Sequence, residues 1–595
     1  MKTSKNTENQ HRNEFIALLG LYFLGLGWLA VILTTLGFFY AWILAAYLVF
    51  GAAWLARHFS LHRKKIVFGR TFLIVLILSI STIILWSYYT TPTIFSGRDQ
   101  GSFSQAAALL AQNHRLAFSF PAEKQFFQIY GPGKALNFPG FYYTPSGDLI
   151  TQFPLGYISW LAIFFAFFGL TGFILANAVS FLIFLLSFYL LARKYSQRDF
   201  SLIAVFFVLT SFIFAWFFKF TLSENLALAL VWFGLLELVT YLEKNSRLHL
   251  LATLASFGLL LFSRTEALAF LIMIAVLLFI VFRHPRKICV AVGKKLGLTL
   301  AGMTIIYFFS FKVNFYFYLT VVKGFIASFS SRPSFDPGGG NHFFVPFLYV
   351  LKLFSAYTLI SFLILGTLGI LYILRRKKYL WLVPAFVILP VFVYLVHPGI
   401  SADHPWMLRR FLFAVVPGSI FYSAIFLEHF FPKKIYAYIL AAFVLTTNLL
   451  VLAPYLAFSP DRNLLPQVKN IAANFNSSDL VLADPLATGD GWDMMTGPMR
   501  FLLGKQVVYF FNPNDLAKIN TKLFNHVYLI IPDQNFPRYA QAGFLNKLIT
   551  IKSYQIETST LTTENSTQET TWNSTITLPG VQKNIIYGKI YLLKK

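Results

Sequence analysis

The chain has one cysteine, Cys289, and few acids, with 23 Asp and Glu among 595 residues. A lone cysteine excludes an intrachain disulfide framework and argues against a thiolate metal site. Charged residues amount to only 12% against 57% hydrophobic, and mean hydropathy is +0.64. So little charge excludes an ordinary soluble domain and a disordered, self-solvating chain. No cleavable leader is expected. The first 13 residues are polar, and the apolar run behind them is too long and has no small-residue cleavage site, so it reads as a retained helix.

What is present is apolar length. Runs of about 20 residues, enough to cross ~30 Å of hydrocarbon, recur through the first three quarters of the chain. The expected fold class is a polytopic α-helical membrane protein with about 13 transmembrane helices and a C-terminal α/β domain. The spans fall at 14–34, 37–56, 69–89, 171–192, 200–218, 224–242, 248–262, 266–282, 297–318, 344–373, 379–397, 410–428 and 435–457. The formal charge of +26 does not point to nucleic acid, because Lys and Arg sit in short clusters between spans. Those clusters are Arg63/Lys64/Lys65, Arg193/Lys194/Arg198, Lys244/Arg247, Arg283/Arg286/Lys287/Lys294/Lys295, Arg375/Arg376/Lys377/Lys378 and Lys433/Lys434. All six fall on one side of this threading, which the positive-inside rule makes cytoplasmic. An integral plasma-membrane protein follows, with its N-terminus inside and its C-terminal segment outside. The apolar stretch 154–169 is too short to cross and reads as an interfacial or re-entrant helix.

Three regions emerge: an N-terminal tail and added helical hairpin (1–68), a transmembrane module with a large first outer loop at 90–170 (69–458), and an extracytoplasmic α/β domain (459–595). In the last, Leu480-Val481-Leu482, Val507 to Phe510, Val527 to Ile531 and Ile585 to Leu593 read as strands, and Asn514 to Phe524 as a helix. Asp484, Asp490 and Asp493 lie in a glycine-containing loop, for which solvated turn carboxylates are favoured over a calcium site. The sequons at Asn565 and Asn573 fall in an exposed Thr/Ser-rich loop.

Ionisable groups at a membrane boundary are costly and mark chemistry or transport. Several collect on the outer side, where positive charge is not expected. Arg98 and Asp99 follow span three, and Glu224 opens span six in Leu222-Ser223-Glu224. Arg264 and Glu266 occupy the turn Ser263-Arg264-Thr265-Glu266-Ala267, and Arg409/Arg410 follow His404-Pro405-Trp406. Each has a plain structural alternative: a helix cap for Glu224, a local pair for Arg264 and Glu266, snorkelling for Arg409 and Arg410. Their common sidedness favours a single site, and arginines at that depth need a carboxylate or a phosphate.

Arg98-Asp99-Gln100-Gly101 with Ala106 to Leu110 resembles the first-loop acidic motif of GT-C glycosyltransferases, the multi-spanning enzymes that use polyprenyl-phosphate sugars and include protein O-mannosyltransferases and aminoarabinose transferases. Gln152-Phe153-Pro154-Leu155-Gly156-Tyr157 resembles their juxtamembrane helix, Leu222-Ser223-Glu224 their second-loop acid, and Ser263 to Leu268 a turn in which Thr265 stands where proline is common. Arg409-Arg410-Phe411 through Pro417 resembles their late arginine-headed helix. The likeness spans roughly residues 69–430. It departs at the leading hairpin and at Gln100, which replaces the usual second acid.

The resemblance implies an inverting glycosyltransferase that moves a sugar from a polyprenyl phosphate to an acceptor hydroxyl on a glycan, lipid or protein at the outer face. Asp99 is the expected base and Glu224 the second acid. Arg409, Arg410 and Arg264 are expected on the donor phosphate, with Arg98, Gln152, Tyr143, Glu266 and His404 on substrate. Metal-free chemistry is favoured, and a divalent cation bridging Asp99 and Glu224 is the alternative. The aromatic run Phe138 to Tyr143 suits a sugar face, although interfacial anchoring is the favoured reading, and Gly338, Gly339 and Gly340 suit either a lid hinge or a plain loop. A lipid-linked glycan flippase, an oligosaccharide ligase and a scaffold for the outer domain are the competing readings.

Overall fold

Apolar sequence in lipid must satisfy its own backbone, and helices do so within one segment. The computed structural model describes residues 2–62, 68–95, 98–282, 285–330, 344–400, 403–489, 491, 493–562 and 576–594. Among them, seven helices are long and apolar enough to cross a membrane: Asn13–Leu36, Ala41–Leu61, Arg70–Tyr88, Leu170–Tyr195, Ser223–Lys244, Leu296–Val313 and Lys434–Leu456. Three bent pairs pass the same test: Arg198–Thr210 with Phe212–Phe218 (55°), Phe347–Ala356 with Ile360–Arg375 (111°) and Trp406–Leu412 with Val415–Phe430 (55°). Leu155–Phe168, Arg247–Leu260, Ala267–Phe282 and Tyr379–Leu395 are shorter apolar helices.

The bends correct the sequence reading. Residues 344–373 are not one straight helix, because the chain turns at Thr358, which takes φ +59°. The late helix begins earlier than Arg410, with a tight turn at Trp406–Leu408 running into Arg409–Leu412. The stretch read as an interfacial or re-entrant helix is a helix, Leu155–Phe168, whose residues from Leu155 to Ile163 are all buried. It is clasped by Asp99–Asn113, Leu170–Tyr195 and the first helix, with Ser159 Oγ 2.9 Å from Thr34 Oγ1. The leading hairpin is also less separate than expected, since Trp28 Nε1 donates to the Ala255 carbonyl at 3.0 Å.

The basic ends gather at one end of the bundle. Lys194 pairs with Glu243 at 2.5 Å, Lys434 donates to Gln197 at 2.7 Å, and Lys378 lies 3.9 Å from the Trp381 ring centre. The clusters at 63–65 and 283 lie outside the described residues, as do the hinge glycines 338–340, Asp490 and both sequons.

The described part of the long segment between Arg70–Tyr88 and Leu155–Phe168 is folded. It holds helices Asp99–Asn113 and Pro121–Tyr130 and an antiparallel sheet of β1 (Gly133–Lys134), β2 (Phe141–Tyr143) and β3 (Leu149–Thr151). The C-terminal segment forms a five-stranded sheet from β4 (Leu480–Ala483), β5 (Gln506–Tyr509), β6 (Val527–Pro532), β7 (Leu548–Thr562) and β8 (Gly580–Leu593), in the order β5-β4-β6-β8-β7. β4 runs parallel to β5 and β6, and β8 antiparallel to β6 and β7. Two details differ from the sequence reading. Residues 514–524 are two short 3-10 pieces, Pro513–Lys518 and Thr521–Leu523, rather than a helix, and β7 was not anticipated because its outer face is polar. Asp484 and Asp493 are engaged by protein donors: Asp484 accepts from Asn535 and Tyr539, Asp493 from Met495 N and Thr496 N.

This sheet sits against the first loop. Gln112 Nε2 donates to the Phe501 carbonyl at 3.0 Å, Asn137 Nδ2 to the Tyr509 carbonyl at 2.8 Å, and the Arg500 guanidinium stacks 3.4 Å from the Phe120 ring centre. At the junction, Lys219 Nζ donates to the carbonyls of Tyr455 (3.0 Å), Leu456 (2.8 Å) and Phe458 (2.5 Å), which lie at and just past the end of the last long helix. Those carbonyls have no intrahelical partner, and a cation there complements the helix dipole.

Candidate active site

The site is assembled from three helix starts and one tight turn. Asp99 occupies the first turn of Asp99–Asn113, and Glu224 the first turn of Ser223–Lys244. Thr221 ties the two together: its hydroxyl bonds the Gln100 carbonyl (2.8 Å) and Ser104 Oγ (2.7 Å). Arg264 is placed by a tight turn in which its N–H bonds the Leu260 carbonyl at 2.8 Å. That turn is pinned from below, because Gly156 N donates to the Phe262 carbonyl at 2.6 Å. A Cβ at Gly156 would lie 2.8 Å from that carbonyl oxygen, so only glycine fits without displacing the backbone.

Six charged groups converge there. Arg409 Nη2 lies 2.6 Å from the Asp99 carboxylate, and its Nε lies 3.9 Å from Glu224. Arg264 Nη1 lies 2.9 Å from Glu224, and its other nitrogens fork onto Glu266. Arg410 Nη1 stands 3.9 Å from Glu266, which also accepts a hydrogen bond from Tyr394. Flat rings cover the cations: Trp406 lies 4.2 Å from the Arg409 guanidinium, Phe413 5.1 Å from that of Arg264, and Tyr394 5.5 Å from that of Arg410. Asp99 keeps 35% of its side chain exposed, whereas Glu224 keeps 1%.

These groups line a cavity of about 200 Å³, walled on its apolar side by Phe103, Phe153, Pro154 and Phe317. The Nε atoms of Arg409 and Arg410 and the hydroxyl of Ser263 are buried there without a hydrogen-bond partner. Buried donors of this kind are expensive unless something accepts from them. The cavity thus presents unused guanidinium donors beside a half-open carboxylate, an arrangement that accepts an anionic group and leaves a proton acceptor facing it.

Of the residues singled out from sequence, the fold brings Asp99, Glu224, Arg264, Glu266, Arg409 and Arg410 together on the cavity wall. It does not bring the other four to that wall. Arg98 lies beside it, paired with Asp403 at 2.7 Å and 4.8 Å from the Trp406 ring centre. Tyr143 is fully buried inside the first loop, against Phe127. Gln152 holds the loop through its backbone, donating to the Gly140 carbonyl at 2.9 Å, while its neighbours Phe153 and Pro154 reach the cavity. His404 sits against the Tyr357 hydroxyl at 3.1 Å, and burial holds its imidazole below the usual range.

Tyr394 and Phe317 were not anticipated, and nothing in their local sequence marks them. Trp406 has a readable signal: its spacing of three from Arg409 puts both on one face of a helical turn. Among the described residues no group of three or more His, Cys, Asp or Glu is arranged to hold a metal. A divalent ion between Asp99 and Glu224 would need Arg409, which stands against both, to move away.

No protein-family model matches the chain, and no curated protein does either. Among solved structures, ArnT from Cupriavidus metallidurans bound to undecaprenyl phosphate superposes with a TM-score of 0.51 at 10% identity, over 87% of this chain and 98% of ArnT. The chain shares the fold of ArnT. The apo form of the same ArnT gives a TM-score of 0.50 at 11% identity, over 86% of this chain and 97% of ArnT. At this identity the likeness speaks to fold alone.

Proposed function

We propose that this GT-C protein transfers a sugar from a polyprenyl-phosphate donor to an acceptor hydroxyl, with inversion, at the non-cytoplasmic face of the plasma membrane. The observation that carries the reading is the pair of buried, unpartnered Nε atoms on Arg409 and Arg410 in a cavity shared with Asp99. That ArnT was captured with undecaprenyl phosphate supports a lipid-phosphate donor for the same fold.

A glycosyl phosphate already carries a good leaving group, whereas an acceptor hydroxyl is a poor nucleophile. General-base help is worth roughly 10²–10⁴ in rate. Asp99 takes the hydroxyl proton as the acceptor oxygen attacks the anomeric carbon and the bond to the phosphate oxygen breaks on the opposite face. Arg409 and Arg410 stabilise the departing phosphate, with Arg264 behind them, an electrostatic contribution that is often the largest single one. The donor phosphate draws Arg409 away from Asp99 and so frees the carboxylate for the proton. Glu224, buried between Arg264 and Arg409, holds the two cations in position.

The test is reconstitution of the full chain in liposomes with a labelled polyprenyl-phosphate sugar and candidate acceptors. A product with inverted anomeric configuration and free polyprenyl phosphate is expected. Lipid movement across the bilayer without product would assign the protein to flipping instead.

A further inference from the structure

The bundle contains a second cavity at the opposite end from the charged site. Glu237, on its wall, follows Glu224 by thirteen residues on the same helix, about 20 Å along the axis. The cavity measures about 370 Å³ and opens where the first helix, Arg70–Tyr88, Leu170–Tyr195 and Ser223–Lys244 part. Its charged wall is Arg193, Lys194 and Glu237. Two of the three are already matched, Lys194 by Glu243 and Glu237 by His249, each at 2.5 Å.

Arg193 is not matched. Its guanidinium donates to the Ser196 carbonyl at 2.6 Å and, among the described residues, pairs with no carboxylate. A guanidinium has five N–H donors in a fork that suits phosphate oxygens. A second source of positive potential shares the rim. Arg70–Tyr88 begins at Gly69 with no side-chain cap, and Gly69, Thr71 and Phe72 line the cavity; the Phe72 N–H is taken by the Gly69 carbonyl at 2.9 Å, so the Thr71 N–H and the positive end of the helix dipole are what lie at its edge. Ile16, Leu190 and Leu236 give the wall an apolar part beside Asn13, Tyr189 and Thr240, and the helix continues past the rim with Leu73, Ile74 and Ile77 exposed.

We propose that this cavity seats the phosphate of a membrane phospholipid. Arg193 and the start of Arg70–Tyr88 hold the phosphate oxygens, and an acyl chain lies along Ile74 and Ile77. Basic pockets between helices at the cytoplasmic end suit lipid headgroups. Free phosphate shares the headgroup chemistry but has no use for the apolar wall.

Native mass spectrometry of the delipidated full chain in detergent tests this with three probes: phosphatidylglycerol, diacylglycerol and inorganic phosphate. Phosphatidylglycerol is expected to be retained, diacylglycerol not, and millimolar phosphate is expected not to displace the lipid. Arg193→Gln should weaken retention about tenfold, the loss of one charged hydrogen bond. Asn13→Trp, which fills the rim and leaves Arg193 intact, should weaken it as well. Equal retention by the wild type and both variants, equal retention of diacylglycerol, or displacement by phosphate would each overturn the proposal.

Discussion

The guanidinium of Arg409 lies 2.6 Å from the carboxylate of Asp99, joining the head of a late helix to the first outer loop. The same guanidinium reaches toward Glu224, so one cation faces both acids. Occupancy of the cavity by a phosphate would compete for that cation, and under the proposed function this would tie the reactivity of Asp99 to donor binding.

Asp99→Asn keeps the size of the side chain and removes its capacity as a base. Turnover in membranes should fall by about 10²-fold or more, while thermal stability changes little because Asp99 is one-third exposed. Retained turnover would remove Asp99 from the base role.

Arg410→Ala should raise the donor concentration needed for half-saturation while leaving expression intact. Its Nε is unpartnered and its contact to Glu266 is long, so the variant breaks no close ion pair. Unchanged donor saturation would leave the residue as a surface anchor only.

Arg264→Ala is expected to act on stability. The guanidinium is 8% exposed and serves both Glu224 and Glu266, so its loss strands two buried carboxylates. A cost of roughly 3–5 kcal/mol is expected, read as a large drop in the unfolding temperature in detergent. A variant as stable as the wild type would show that water reaches those carboxylates freely.

Glu123 provides a pH test outside the membrane. Its Oε2 accepts from Phe120 N at 2.7 Å, and its Oε1 is buried without a partner. Burial pushes the carboxyl up to about 8, against a smaller opposing pull from the Phe120 N–H. An acid raised on folding binds its proton more tightly in the native state, so this group's contribution to stability is full in acid and is lost as pH rises toward about 8. The unfolding temperature should therefore fall less between pH 5 and 8 in Glu123→Gln than in the wild type. Parallel profiles would refute a protonated Glu123.

Lys219→Met removes the cation that binds three carbonyls beyond the last long helix. Cleavage near residues 457–463 in limited proteolysis should accelerate severalfold as that junction loosens, by the ~1–3 kcal/mol of unmet carbonyl bonds. Unchanged cleavage would mean that the junction is held by the Tyr455–Pro579 contact and the sheet itself.

Much of the helical layout was legible because hydrocarbon imposes one rule on every span. Apolar length located Leu170–Tyr195, Ser223–Lys244 and Lys434–Leu456 to within a few residues. The same rule misjudged 344–373, since composition carries no information about a 111° bend. Leu155–Phe168 is a helix as read from its composition, and only the structure shows that neighbours enclose its first half. In the sheet, β4 and β6 were legible as short buried runs, while β7 was not, because one exposed face broke the pattern. Asp99, Glu224, Arg264 and Arg409 stood out because charge at a membrane boundary is rare. Tyr394 stood out in no way, since tyrosine is ordinary at that depth.

The sequence by itself determined that this chain lives in a bilayer, where its helices lie and which ionisable groups are out of place. Those are consequences of the free energy of transfer, which each residue carries alone. Which of the misplaced charges meet was decided by the tertiary structure. The Gly156 contact, the Thr221 tie and the bend after Leu412 bring Arg264, Glu224, Asp99 and Arg409 into one cavity and leave Tyr143 and His404 outside it. Proximity of that kind depends on distances between segments far apart in the chain, and no residue encodes it locally.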